Sequence, residues 1–112
     1  MTNKKIIFEK PLFISHKYSI VEVDVKKIDN NWKNDIFYIG NEFKINNKYR
    51  QSFNYINKYN KCAVPHIGFD SSGIVGFYDG RHRFAVLRDM GIKKIFVAVF
   101  YKDLDRLVKY FS

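Results

Sequence analysis

The sequence contains little cysteine and proline: one cysteine, Cys62, and two prolines, Pro11 and Pro65. A single cysteine excludes an internal disulfide, and no apolar leader with a small-residue cleavage site follows Met1. All apolar runs fall short of the roughly 20 residues that a membrane span requires. We therefore expect a cytoplasmic protein without a membrane partner.

Acidic residues are also scarce, since 11 Asp and Glu stand against 20 Lys and Arg, for a formal net charge of +9. Such a basic protein attracts polyanions, so nucleotides, nucleic acid and acidic host protein surfaces are the partners to consider. The abundance of Lys, Asn, Ile, Phe and Tyr equally fits the codon usage of an AT-rich genome, which raises lysine content without any partner. Both explanations stay open at this point.

Hydrophobic spacing in the 112 residues predicts one domain, 1–112, of the α+β class, with a small mixed β-sheet and two to three helices. Two short apolar runs, Ile6–Phe8 and Leu12–Ile14, are predicted to be edge strands at most. A further strand is predicted over Ser19–Lys27, and two strands are predicted on either side of the turn Asp70–Gly73. The last predicted strand, Lys93–Tyr101, should be covered on both faces. The predicted helices are Asn46–Asn60, Arg81–Met90 ending at Gly91, and Leu104–Phe111 with Asp103 as the N-cap. The segment between Lys27 and Phe43 is rich in turn-forming residues.

An apolar strand is joined to the predicted helix Arg81–Met90 through the sequence Asp79-Gly80-Arg81-His82-Arg83. A helical wheel places Arg83 on the apolar face with Phe84, and places Arg81, His82 and Arg88 outside it. A guanidinium that points at a core needs an anion. Asp79 could supply it as a structural clamp, or a phosphate could occupy the helix N-terminus, where Gly80 would allow a close approach.

His82 is the candidate acid-base residue of this joint, because its unperturbed pKa lies near neutrality. The charges of Arg81 and Arg83 favour its neutral form, which could act as a donor or base near pH 7. The structural alternative is an exposed histidine at a helix start.

The predicted helix Asn46–Asn60 carries a basic rim at Lys48, Arg50 and Lys58. These three side chains are candidate nucleic-acid contacts, through phosphates and without sequence specificity. A recognition-helix signature for sequence-specific DNA binding is not evident.

No metal site is predicted, since His16, His66 and Cys62 lack ligand spacing. Metal-dependent cleavage would need carboxylates beside the phosphate to hold Mg²⁺, and only Asp70 and Asp79 flank the joint. Binding of phosphate therefore ranks above catalysis, and whether the protein is an enzyme stays open.

The order of these elements resembles the ParB/sulfiredoxin-like superfamily, most clearly from Val64 to Phe100 and over about two thirds of the chain from Val21 onward. The resemblance implies a glycine turn and helix start that hold the phosphates of ATP, CTP or nucleic acid. Gly80, His82 and Arg83 match the Gly-Cys-His-Arg motif of sulfiredoxin.

Arg81 stands where sulfiredoxin has its catalytic cysteine, so reduction of a sulfinic acid through that position is excluded. In the Gly-Glu-Arg-Arg motif of ParB proteins, Arg81 replaces the acidic residue, His82 the first arginine, and Arg83 matches the second. A later acidic-Asn-Arg element and a helix-turn-helix region have no counterpart. The resemblance thus implies a stand-alone phosphate-binding domain, with Asp79 to Arg83 as the binding residues.

Two functions follow from these observations. The first is a nucleotide- or nucleic-acid-phosphate-binding protein, whose catalytic form would be a nuclease or nucleotide hydrolase using His82. The second is a non-enzymatic phage or mobile-element inhibitor that binds a host protein or a nucleic-acid-binding site. An intact Gly80-Arg81-His82-Arg83 motif favours the first function, whereas a motif that is buried and saturated by internal partners favours the second.

Overall fold

The structure, a computed structural model, describes residues 5–12, 17–40 and 46–112. Its elements are β1 (Ile7–Glu9), β2 (Tyr18–Asp24), α1 (Val25–Trp32), α2 (Asn47–Tyr59), β3 (Lys61–Ala63), β4 (His66–Phe69), β5 (Val75–Asp79), α3 (Arg81–Asp89), β6 (Lys94–Phe100) and α4 (Tyr101–Phe111). The predicted α+β class is confirmed. None of the helices in these ranges is long and apolar enough to cross a membrane.

Two sheets organise the fold. The larger is a mixed sheet of order β2-β6-β4-β5, in which β4 and β6 are parallel and the other neighbours are antiparallel. The smaller is a parallel pair of β1 and β3, in which Glu9 lies opposite Ala63. Since β3 follows α2 after one residue and β4 follows β3 after two, this pair joins α2 to the larger sheet.

The core is built around Trp32, which is fully buried at the end of α1. Its ring contacts those of Tyr38, Phe77 and Phe84 edge-on, with centroids 4.8, 4.8 and 5.5 Å apart. Edge-to-face packing of this kind adds about 0.5–1.5 kcal/mol per pair beyond the burial of area. One aromatic cluster therefore joins α1, β5 and α3.

The turn signal at Asp70 and the helix-end signal at Gly91 are confirmed. Asp70 Oδ1 accepts hydrogen bonds from the backbone of Ser72 and Ile74 at the tip of the β4–β5 hairpin. Gly91 adopts a φ of +81° just after α3, the left-handed conformation expected there. Asn46 caps α2 by accepting from the backbone of residues 48 and 49.

The prediction of a strand over Ser19–Lys27 is wrong at its C-terminal end, where α1 begins at Val25. Asp24 accepts a hydrogen bond of 3.0 Å from the Lys27 backbone and caps a helix whose buried residues include Ile28. The alternation of Val21, Val23 and Val25 extends one residue into this helix, so the hydrophobic pattern does not indicate where the helix begins. The described residues accordingly contain four helices where two to three are predicted.

Three further predictions differ from the structure or fall outside it. The last helix starts at Tyr101, so Asp103 lies in its first turn and does not cap it. Strand β6 is not covered on both faces, since Phe96 is exposed. Most of the predicted strand Leu12–Ile14, together with His16, lies outside the described residues.

Arg88 lies inside the fold, whereas the helical wheel places it outside the apolar face of α3. Its side chain is 12% exposed, and its Nη1 donates to Asp29 at 3.1 Å and to the Ile39 carbonyl at 2.6 Å. Its Nε donates to Asp89 at 2.9 Å, and Asp89 in turn accepts from the Tyr49 hydroxyl at 2.7 Å. The guanidinium thus joins α1, α2 and α3 through polar contacts that no hydrophobic pattern indicates.

We expect Arg88→Ala to lower the free energy of unfolding by about 3–5 kcal/mol, because it leaves two partly buried carboxylates without their shared partner. Urea denaturation followed by circular dichroism measures this change. Lys102→Ala, an exposed cation on α4, is the matched control and should change stability by less than about 0.5 kcal/mol. Equal effects of the two substitutions would contradict the role assigned to Arg88.

Candidate phosphate site at the start of α3

The joint between β5 and α3 is fixed by Gly80, which has a φ of +91°. A side chain there would be strained by that conformation, and its Cβ would lie 2.9 Å from the Cα of Pro65. The same Cβ would lie 2.7 Å from Arg83 Nη2. Gly80 therefore allows both the tight turn and the return of the Arg83 side chain towards the preceding strand.

Arg83 is held by internal acceptors. Its Nη2 donates to Asp79 Oδ2 at 2.9 Å and to the Val64 carbonyl at 3.4 Å, and its Nε donates to the Ala63 carbonyl at 3.0 Å. The side chain is 17% exposed. The predicted pairing with Asp79 is thus present, and the guanidinium ties the end of β3 to the start of α3. A direct contact between Arg83 and phosphate stays a prediction.

The N-terminus of α3 lacks a side-chain cap and has no acidic residue in its first turn. The Phe84 N–H donates to the Gly80 carbonyl, so the N–H groups of residues 81–83 have no acceptor within the helix. These groups and the helix dipole favour an anion at this end by about 0.3–1 kcal/mol.

Two basic residues, Arg81 and His82, lie in the first turn of α3, and a third, Lys48, belongs to the helix that packs against it. Burial lowers the pKa of His82 below its ordinary value, and the charges of Arg81 and Lys48 lower it further. Lys48 belongs to α2, so its effect on His82 reflects the packing of α2 against α3. The Arg81 guanidinium lies 5.3 Å from the ring centroid of Phe37. We call Lys48, Arg81 and His82 the cationic cluster.

The other two predicted nucleic-acid contacts do not join this cluster. Arg50 follows Lys48 by two residues and is therefore about 200° away around α2. It lines a separate cavity of about 290 Å³ beside Asp89. Lys58 lies near the end of α2, with its Nζ 5.2 Å from the ring centroid of Tyr59. The basic rim of α2 thus contributes a single member, Lys48, to the candidate site.

A cavity of about 310 Å³ lies beside Arg83, between α2 and the β1–β3 pair. It is lined by Glu9, Leu12, Gln51, Ser52, Tyr55, Ile56, Ala63 and Arg83. No local sequence signal indicates this cavity, because its walls come from four separate parts of the chain: the β1 segment, α2, β3 and α3.

Cys62 is fully buried next to Arg83. Burial raises the pKa of its thiol to about 12, although the Arg83 charge opposes this shift. The thiolate is the nucleophilic form of cysteine, so Cys62 is inert at neutral pH.

The carboxylates considered for Mg²⁺ have structural partners. Asp70 accepts hydrogen bonds within its own turn, and Asp79 pairs with Arg83. Among the residues that the structure describes, no group of three or more His, Cys, Asp or Glu is arranged to hold a metal ion.

Comparison with protein families, with curated proteins and with solved structures finds no match for this chain. The resemblance to the ParB/sulfiredoxin-like superfamily therefore stays a prediction from the motif and the order of elements.

We expect Cys62 to react with a thiol reagent such as DTNB at least 10²-fold more slowly in the folded protein than in 8 M urea at pH 8, because its thiol is buried and its pKa is raised. The rate of thionitrobenzoate release measures this difference. Glutathione at the same pH and urea concentrations corrects for the effect of urea on the reagent. Equal rates in the folded and unfolded chain would contradict the burial.

Acid should destabilise the fold through His66, which is 3% exposed between the rings of Tyr78 and Phe100. Burial lowers its pKa, against the charges of Asp79 and Asp103. Because the unfolded histidine then binds protons more readily, this contribution is complete above about pH 6.5 and is lost as the pH falls.

We therefore expect the urea midpoint to fall between pH 7.5 and pH 5.5, and to fall less in His66→Phe. Lys102→Gln, at an exposed position of α4, serves as the comparison and should retain the full decline. His82→Gln should also reduce the decline, because the pKa of His82 is lowered as well. An unchanged midpoint in the wild-type protein across this range would contradict the prediction.

Proposed function

We propose that this chain is a small phosphate-binding protein of the ParB/sulfiredoxin-like type, which holds phosphate groups of a nucleotide or nucleic acid at the N-terminus of α3. The observation that carries the proposal is the start of α3, which has no side-chain cap and no acidic residue in its first turn, carries Arg81 and His82, and packs against the helix that carries Lys48. Backbone donors, the helix dipole and two fixed cations there favour the same kind of ligand.

Each part of the joint has a separate role in this proposal. The N–H groups of residues 81–83 and the side chains of Arg81 and Lys48 donate to phosphate oxygens, at about 1.5–3 kcal/mol per charge-assisted hydrogen bond. Arg83 and Asp79 position the turn, since their charges satisfy each other. His82, kept neutral near pH 7, is the group that could transfer a proton if a nuclease or nucleotide-hydrolysing reaction occurs.

A second candidate is the non-enzymatic inhibitor that occupies an acidic surface of a host protein. Two observations favour it: Arg83 is bound by internal acceptors, and Ile36 and Phe37 expose 89% and 57% of their surface beside Arg81. An exposed apolar pair can form the centre of a protein interface, and cations beside it can form the polar rim. An origin in a phage or mobile element stays a prediction from composition.

Calorimetric titration with pyrophosphate, ATP, CTP and a short single-stranded DNA at fixed salt tests the first candidate. We expect the double substitution of Lys48→Gln and Arg81→Gln to weaken binding at least 10-fold, because it removes both fixed cations of the cluster. Lys58→Gln combined with Arg50→Gln is the matched control, since it removes the same charge from α2 outside the cluster.

Equal losses in the two double variants would show that only the overall charge matters and would contradict the site. A folded wild-type protein that binds none of the ligands would exclude the first candidate and favour the second.

A further inference from the structure

The two edges of the larger sheet differ in how their backbone groups are satisfied. At the β5 edge, the Asn31 side chain accepts a hydrogen bond of 2.7 Å from the Val75 N–H and donates to the Gly73 carbonyl at 3.3 Å. The other edge is β2, a strand of seven residues without a proline and without a bulge in its pairing with β6. Prolines and bulges are common protections of an exposed edge, and β2 lacks both.

The hydrogen-bond register identifies the residues of β2 whose backbone groups point outward. The Val25 N–H donates to the Lys93 carbonyl at 2.9 Å, at the end of the β2–β6 ladder. Hydrogen-bonded pairs alternate with non-hydrogen-bonded pairs along an antiparallel ladder. Counted back from Val25, Ile20 and Glu22 fall in non-hydrogen-bonded pairs, so their N–H and C=O groups point away from β6.

A contact on the other side of β6 agrees with this register. Ala98 lies opposite Ile20, and its N–H donates to the Pro65 carbonyl at 2.8 Å, away from β2. Among the residues that the structure describes, none binds the outward N–H and C=O groups of Ile20 and Glu22, and both residues are exposed. Two donors and two acceptors are therefore available to a further strand, as when a peptide adds to the edge of a sheet.

A cavity beside Ile20 gives this edge a preference for one kind of side chain. The cavity measures about 400 Å³, and its lining includes Phe8, Tyr18, Ile20 and Phe96. Ile20 and Phe96 are 45% and 40% exposed, and the rings of Phe8 and Phe96 meet edge-on with centroids 5.8 Å apart. Alternate side chains of an added strand lie on the same face of the sheet as Ile20. An apolar side chain at the position next to Ile20 can therefore cover the cavity.

Lysines stand at both ends of β2. Lys17 precedes the strand, Lys26 lies in the first turn of α1, and Lys94 is opposite Asp24 in β6. All three lysines are exposed, whereas the Asp24 carboxylate accepts a hydrogen bond at the N-cap of α1. Acidic residues at the ends of an added strand would meet these lysines, and such complementary charges favour one partner over another.

We propose that β2 binds an extended segment of a partner protein, which adds to the larger sheet as a further strand. The segment is apolar at the residue beside Ile20 and acidic at its ends. A second copy of this chain is disfavoured as the partner, because each end of β2 carries lysines and each copy has a net charge of +9. Strands β6 and β4 separate this edge from β5, so the inference does not depend on the proposed phosphate site.

Selection of random phage-displayed peptides of about twelve residues against the wild-type protein tests the proposal, with the enriched peptides measured by calorimetry. We expect these peptides to have alternating apolar residues and acidic ends. Glu22→Pro should weaken their binding about 10-fold or more, because it removes an outward N–H that the β2–β6 ladder does not use. Glu22→Gln is the matched control: it removes the same charge, keeps the N–H and should bind within about 2-fold of the wild type.

A second pair of variants tests the charges. The double substitution of Lys17→Gln and Lys94→Gln should weaken binding of the acidic peptides about 10-fold. Lys58→Gln combined with Lys61→Gln removes the same charge from exposed positions of α2 and β3 and should change the affinity less than about 3-fold. Equal losses in the two double variants would contradict the role of the lysines beside β2.

Amide hydrogen exchange followed by NMR measures the edge without any substitution, and it decides the matter if Glu22→Pro does not fold. In the free protein, the N–H groups of Ile20 and Glu22 should exchange faster than those of Val21 and Val23, and bound peptide should slow them about 10-fold or more. Peptide binding that leaves the exchange of these two groups unchanged would overturn the inference.

Three other results would also overturn it. The first is a selection that enriches no binding peptide, and the second is equal affinity of the enriched peptides for folded Glu22→Pro and Glu22→Gln. The third is a wild-type dimer in analytical ultracentrifugation that Glu22→Pro dissociates, since it would assign the edge to a second copy of this chain.

Discussion

The ion pair between Arg83 and Asp79 is the contact on which the candidate site depends. It closes the turn at Gly80, and the same guanidinium binds the carbonyls of Ala63 and Val64. The pair therefore fixes the start of α3 relative to the end of β3. Loss of either partner would leave the other charge in a partly buried place, which is more destabilising than the pair itself is stabilising. The cavity between α2 and the β1–β3 pair depends on the same contact, because Arg83 and Ala63 both line it.

This use of Arg83 changes how the motif can act. A guanidinium already engaged by one carboxylate and two carbonyls contributes little net charge to a ligand, because Asp79 neutralises it. The free positive charge of the joint lies instead on Arg81 and on Lys48, which comes from another helix. In such an arrangement phosphate would be bound by Arg81 and Lys48. Arg83, the arginine shared with both family motifs, would instead stabilise the backbone on which Arg81 lies.

The sequence allows prediction of those parts of the fold that local signals determine. The hairpin at Asp70–Gly73 and the helix α3 ending at Gly91 have turn and cap residues within a few positions of each other. Helix α1 is not predicted, because the alternation of Val21, Val23 and Val25 continues across its N-cap at Asp24 and indicates a strand there. Two periodicities overlap there, and only the tertiary packing of Trp32 decides between them.

The candidate site, like the fold, can be predicted from the sequence only where local signals determine it. The residues from Asp79 to Arg83 are adjacent in the chain, so their joint role is accessible to sequence reasoning. The approach of Lys48 to His82 and the position of Glu9 depend on contacts between segments more than 30 residues apart. No periodicity or spacing encodes such contacts, since they arise from the packing of α2 on α3 and from the pairing of β1 with β3.

The net charge of +9 alone does not distinguish a functional surface from the codon usage of an AT-rich genome. Its distribution is more informative. Codon usage adds lysine without regard to the face of a helix, so it makes Lys48 and Lys58 equivalent. The two lysines have different surroundings in the structure. The charge of Lys48 lowers the pKa of His82 at an uncapped helix start, whereas Lys58 lies over the ring of its neighbour Tyr59. The charges of Lys48 and Arg81 favour the neutral form of His82, and a bound anion would offset their effect. The presence of Arg81, His82 and the nearby helix residue Lys48 at an uncapped helix start is therefore a better indication of ligand binding than the total charge is.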